Sequence, residues 1–337
     1  MVQKNILWVS DNKDPIQQYV LTVLANTLQQ YSYTSHLHLA YTLNDDLVQM
    51  IRNRSITHVI INDFIIPPDH LQTILEKCRN VQFFIRDVNT HKEFNNPQIF
   101  NLVKIYTLLG VKILTQRPLI YDFGKNLTPT KLNKSLVCWA PDLFLVPCQS
   151  FDKEVQEFRT PLRIGHYNRH GIPAENTTSQ YLGCSNFSLK YNVPVDFRIL
   201  SVNQLTPWEE LTMLSCTQEK NFPDTTLTLL QNLSVDTLTK EIEDLDIFLH
   251  VSKMNTYYID YMAIKSDIPI ITSPHNAILG KYAWCKNNGS TEELSFTLKK
   301  IYHGSMWEKK RRLFKQKMSL LRYGKRVAQI WLKLLRS

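Results

Sequence analysis

A chain of 337 residues, 43% hydrophobic and 20% charged, is long enough for two cores of ordinary size and is not the composition of a disordered protein. No apolar run of about 18 residues occurs, so no membrane-spanning helix is expected. The six cysteines form no CxxC and have no His pair at ligand spacing, so free thiols are expected and a structural metal is not. The net charge of +9 is placed at one end. Residues 299–337 hold 13 Lys and Arg against Glu308 alone, a balance of +12, leaving 26 Lys and Arg against 29 Asp and Glu elsewhere. A polyanionic partner is therefore expected near the tail. The opening MVQKNILWVSDNKD has too short an apolar stretch for a secretory leader, and the protein is read as cytoplasmic, in the host cytoplasm if viral.

In the first half, short apolar runs alternate with amphipathic ones. NILWVS (5–10) reads as a strand, and Asp14-Pro15 opens a helix through Gln29. SHLHLAY is a strand, LNDDLVQMIRNR a helix, and THVIINDF (57–64) an apolar strand with polar residues at its end. The helix DHLQTILEKCRN, the strand VQFFIRDV (81–88), a helix closed by Gly110 and the strand VKILTQ (111–116) follow. Residues 117–160 are less regular, with one short strand expected in LVCWAPDLFLVP.

A second alternating series starts at Leu162. It runs RIGHYNRHG (strand and loop), ENTTSQYLGCSNFSLKYN (helix), VDFRILSV and TLTLLQNLS (strands), and VDTLTKEIEDL (helix). DIFLHVS (strand), a helix through Ser266 and PIITS (strand) complete the core. STEELSFTLKKIYHG reads as a helix capped by Ser290 or Thr291, and one or two long basic helices end the chain. Continuous apolar strands alternating with helices mean parallel sheets covered on both faces. The expected fold is α/β: two Rossmann-like parallel-sheet domains facing a cleft. The bounds are 1–160 for the first domain, 161–318 for the second and 319–337 for a basic amphipathic helix. Ligands of such sheets bind at the carboxyl ends of the strands.

Taken in order, RIGHYNRHG, EIEDLDIFLHVSK, DYMAIKSDIPIITS and STEELSFTLKKI resemble the nucleotide-sugar half of GT-B glycosyltransferases, particularly the large retaining family that uses nucleoside-diphosphate sugars. The resemblance covers about residues 160–300. It implies that the last helix crosses back to the first domain, and that the protein is a hexosyl- or pentosyltransferase with a nucleotide sugar as co-substrate and no required cofactor. That family carries two glutamates eight residues apart. Anchored on Pro269, they fall on Met254 and Met262 here, with Asp260 two residues from the second. The resemblance assigns donor binding to Gly165, Asn168, Arg169, Ser252, Lys253, Asn255, Thr256, Tyr257 and Asp260. Arg169 is the expected phosphate cation, with Lys253 and Lys190 after it. No DxD-like carboxylate cluster closes a strand, so no metal is expected.

In the first half, Asp87 and His91 follow the strand VQFFI, where an acceptor-activating group would stand. This stretch is similar to T-even phage DNA α-glucosyltransferases, in which a strand precedes a polar loop containing His. Asp11 and Asp63 also follow strands. The first loop, SDNKDP, lacks the glycines of a dinucleotide fingerprint. The expected acceptor is a hydroxymethylated pyrimidine in double-stranded phage DNA, with Arg311, Arg312, Lys315, Arg322, Lys325 and Arg326 as polyanion contacts. The alternatives are a cell-envelope or lipid-linked glycan at an anionic membrane surface, reached through Trp331, Leu332, Leu334 and Leu335, and a non-catalytic GT-B-like partner that binds a glycan.

Overall fold

The computed structural model describes residues 4–10, 15–39, 45–62, 64–87, 97–115, 118–127, 136–140, 157–168, 174–207, 210–211, 215, 222, 224–250, 257–272 and 290–336. The chain divides into two compact units, Met1–Leu143 with Lys325–Ser337, and Phe144–Gly324.

The first unit alternates strand and helix: β1 (Lys4–Ser10), α1 (Pro15–Gln29), β2 (Tyr33–Leu39), α2 (Asp45–Asn53), β3 (His58–Asn62), α3 (Pro68–Lys77), β4 (Gln82–Arg86), α4 (Pro97–Leu108), β5 (Lys112–Thr115), α5 (Pro118–Leu127) and β6 (Val137–Trp139). The strands pair in parallel in the order β2-β1-β3-β4-β5-β6. The sheet is apolar on both faces, as parallel sheets require. Leu7, Val9, Val59, Ile61, Phe83 and Ile85 share a core with Leu47, Leu71, Ile74 and Val103 from the helices. The alternate residues Ile6, Trp8, Ile60 and Phe84 are also fully buried, because successive side chains of a strand point to opposite faces.

The second unit continues with β7 (Leu162–Tyr167), α6 (Ala174–Tyr191), β8 (Val195–Leu200), β9 (Thr225–Leu230), α7 (Val235–Glu243), β10 (Ile247–His250), α8 (Tyr257–Lys265), β11 (Ile270–Thr272), α9 (Thr291–Tyr302) and α10 (Met306–Arg336). The order is β11-β10-β7-β8-β9, again parallel throughout. Ser234 caps α7 and Ser290 caps α9, each accepting from a backbone N–H three residues on. At the amino-terminal edge of this sheet, Asp244 pairs with Arg159 (2.5 Å), Arg163 and Arg198 (3.1 Å). Burial opposes ionisation of Asp244, but the three guanidinium groups hold its carboxyl below the usual carboxylate range.

The basic end of the chain is one helix of 31 residues. Its buried side runs Leu313, Gln316, Leu320, Gly324, Val327, Trp331 and Leu335, a spacing of three or four residues that gives one stripe. Residues up to Gly324 belong to the second unit and those from Lys325 to the first. In the second unit, Gln316 donates to Ile270 O (3.4 Å) and Lys317 pairs with Asp267. In the first, Trp331 packs on Trp8 with ring centroids 6.0 Å apart. His58 Nε2–H (2.8 Å) and Lys4 Nζ (3.3 Å) both donate to Leu335 O. They satisfy a carbonyl that the helix end leaves open.

Candidate active site

Two sets of buried polar side chains stand at the carboxyl-terminal edges of the two sheets. In the second unit the chain runs from β7 outward through β8 to β9, then returns to place β10 on the other side of β7. The switch point therefore lies between β7 and β10, where an open α/β sheet offers a crevice. His166, on β7, pairs in register with Leu249 of β10. Its Nδ1–H donates to Leu249 O (3.3 Å) and its Nε2 accepts from the Thr177 hydroxyl (3.4 Å). Burial pushes this imidazole down to about 4; the bond to Leu249 opposes the shift and neighbouring His250 adds to it. His166 is thus neutral at pH 7.

Asn168 follows β7 and donates its backbone N–H to Leu200 O (2.9 Å). Its side chain is buried, as is that of Gln180 on α6, and none of the four amide atoms has a hydrogen-bond partner among the described residues. Such groups carry a desolvation cost and need a reason to be there. His250 ends β10, and its Nδ1–H donates to Asp260 Oδ1 (2.5 Å) in the first turn of α8. Both are buried. The carboxylate fixes the tautomer and orientation of the ring. Thr272 Oγ1 donates to His250 O (3.0 Å), tying β11 to the same place.

In the first unit, β3, β4 and β5 end on two buried polar pairs at successive positions, Asn62 with Arg86 and Asp87 with Thr115. Arg86 Nη1 donates to Asn62 Oδ1 (2.5 Å) and Thr115 Oγ1 to Asp87 Oδ2 (2.5 Å). Asp87 N donates to Leu114 O (2.8 Å), which holds the residue at the strand end. Asp87 is thus a buried side chain held in place by its neighbours.

No protein-family model matches this chain, and no curated protein does. Solved structures match over its full length. An alpha-glucosyltransferase in complex with UDP-glucose and DNA containing an abasic site superposes with a TM-score of 0.71, at 8% identity and 99% coverage of both chains. The E. coli trehalose-6-phosphate protein bound with UDP-2-fluoro glucose gives 0.63, at 11% identity and 99% coverage of both. Anabaena HepE in complex with UDP and glucose gives 0.59, at 10% identity, covering 98% of this chain and 100% of its own. The fold is GT-B.

Within this GT-B fold the sequence-predicted residues separate. Asp260 meets His250, Asp87 meets Thr115, and Asn168 stands on the second sheet's carboxyl edge. Gly165 lies within β7, where an added Cβ would fall 2.9 Å from Leu245 Cδ2 and closer still to Cδ1. Met262 is buried. Lys190 lies in the last turn of α6, exposed, with its Nζ 5.8 Å from the Tyr191 ring centroid. A crossover helix returns the chain to the amino-terminal edge of the sheet, so Lys190 is remote from the carboxyl edge where Asn168 stands. His91, Arg169, Ser252, Lys253, Asn255, Thr256, Asp11, Asp63 and Met254 lie outside the described residues, as does the side chain of Tyr257. On α10, Arg311, Lys315, Arg322, Lys325 and Arg326 are exposed, and Arg312 pairs with Glu308 (2.8 Å). Among the described residues no three His, Cys, Asp or Glu cluster as a metal site would, and no helix is long and apolar enough to cross a membrane. His166, Thr177, Gln180 and His250 went unmarked in the sequence. His250 carried a usable signal, being the last residue of an apolar run.

Proposed function

We propose that the protein is a glycosyltransferase that moves a sugar from a nucleotide-sugar donor to a hydroxymethylated pyrimidine base in DNA. The observation that carries the reading is the buried polar side chains flanking the switch point of the second sheet, in a GT-B fold: the amides of Asn168 and Gln180 on the α6 side and the His250–Asp260 pair on the α8 side. Amides offer both donors and acceptors and suit the hydroxyls and base edge of a nucleotide sugar. The His250–Asp260 pair takes the place of the two glutamates that the resembling family carries. In the transfer, the bond from the sugar's anomeric carbon to the diphosphate breaks as the acceptor oxygen bonds that carbon. The acceptor proton passes to a base, and Asp87 is assigned that role. Asp87→Asn is then expected to lower turnover far more than donor affinity.

The DNA acceptor is supported by the exposed cations of α10 and by one structural neighbour that is in complex with DNA. Of the four residues that the membrane-surface reading would turn to lipid, Trp331 and Leu335 are buried and Leu332 and Leu334 half-buried, which weighs against it. A panel of nucleotide sugars in thermal unfolding tests the donor reading, since a ligand of the folded state must raise the midpoint. One nucleotide sugar is expected to do so, and hydroxymethylated duplex DNA to add a salt-sensitive shift. No shift with any nucleotide would leave a non-catalytic GT-B-like protein.

A further inference from the structure

The outward face of α10 is densely cationic. Trp307, Arg311, Phe314, Arg322, Lys325, Lys333 and Arg336 recur at intervals of three, four, seven or eight residues, which places them along one side of the helix. That side is opposite the buried stripe through Leu313, Leu320, Val327 and Trp331. Arg159, Arg163, Arg198, Arg312 and Lys317 each meet a carboxylate. Lys310, Arg311, Lys315, Arg322, Lys325, Arg326, Lys333 and Arg336 meet none among the described residues, and all eight are exposed. Like charges one turn apart repel each other, and a polyanion laid along the face relieves that repulsion. Two aromatics stand at the start of the row: Trp307 is 67% exposed and Phe314 47%. The Arg311 guanidinium lies 5.2 Å from the Trp307 ring centroid. An aromatic plane beside cations is how proteins hold unpaired bases, one face stacking while neighbours take phosphates.

We propose that this face of α10 binds DNA, with Arg322, Lys325 and Arg326 on phosphates and Trp307 stacking an unpaired base, so that the helix favours single-stranded or locally opened DNA over intact duplex. An interfacial membrane helix would need a continuous apolar face, and here that face is used inside the protein. The inference deepens the proposed acceptor reading and rests on it for the choice of DNA.

The test is fluorescence anisotropy of the full chain with a labelled single strand and the matching duplex, with no donor present. Thermal midpoints of all variants confirm folding. Trp307→Ala is expected to weaken single-strand binding by at least about 5-fold, the size of one lost base stack, and to leave duplex binding unchanged. The triple variant Arg322→Glu, Lys325→Glu, Arg326→Glu is expected to weaken both and to lower the slope of log affinity against log salt by about 2 to 3. If the triple variant binds both DNAs as the wild type does, or if Trp307→Ala weakens both equally, the proposal is overturned. So it is if phosphatidylserine vesicles bind the wild type and DNA does not. Donor binding measured in these variants without DNA is expected to stay intact, which keeps failure here distinct from failure of the sugar-transfer reading.

Discussion

His166 makes stability depend on pH in a definite direction. Its folded value of about 4 lies below the ordinary 6.5, so between those values the unfolded chain binds the extra proton. The contribution is complete above pH 6.5 and is lost as pH falls from 6.5 to about 4, a loss of about 3 kcal/mol. His58 shifts the same way, chiefly by burial. Denaturant unfolding at pH 7 and pH 4.5 is expected to show a smaller acid loss for His166→Gln than for wild type; equal losses would remove His166 as the cause. Asp260 allows a sharper contrast. Asp260→Ala removes the acceptor of a buried imidazole N–H and is expected to cost about 1–3 kcal/mol. Asp260→Asn keeps the shape, loses the charge, and is expected to weaken donor binding about 10-fold by calorimetry. Asp260 was visible in the sequence because its register against the missing glutamates drew attention to it. Its partner was not, since a contact across ten residues of strand, loop and helix has no sequence signature.

Strands and helices were legible where their apolar periods were strong. The run NILWVS is β1, VQFFIR is β4, and Gly110, with φ of 80°, closes the helix it was expected to close. The helix α5 was missed, in a stretch read as irregular. It carries Gly124, a weak helix former, and the reason lies in packing: a Cβ there would fall 2.7 Å from Val137 Cγ1 on β6. Gly165 poses the same constraint on β7. Gly165→Ala is expected to destabilise the second unit by about 1–3 kcal/mol through overpacking against Leu245. Leu245→Ala in that background is expected to recover part of the loss, as read from urea midpoints. No recovery would mean that Gly165 is needed for something other than close approach.

Helix α10 belongs to both units, and its last turns complete the first. Trp331 and Leu335 cover the sheet face that Ile6, Trp8, Ile60 and Phe84 would otherwise expose. Trp331→Ala is expected to cost about 3–5 kcal/mol. Hydrogen exchange should then quicken in β1 and β3 and stay unchanged in β7 and β10. Uniform acceleration across both sheets would instead mean that the two units unfold as one.

The sequence alone carried the α/β class, the alternation of strand and helix, the basic helix at the end, the positions of Asp87 and Asn168 at strand ends and that of Asp260 opposite the missing glutamates. Each is a property of neighbours along the chain: hydrophobic period, caps, local charge. The pairing of His250 with Asp260, the orphaned amides of Asn168 and Gln180, and the division of α10 into a buried apolar side and an uncompensated cationic one belong to the folded molecule. They depend on strand order and on which helix covers which face. A parallel sheet brings together residues far apart in sequence, and no local pattern encodes that.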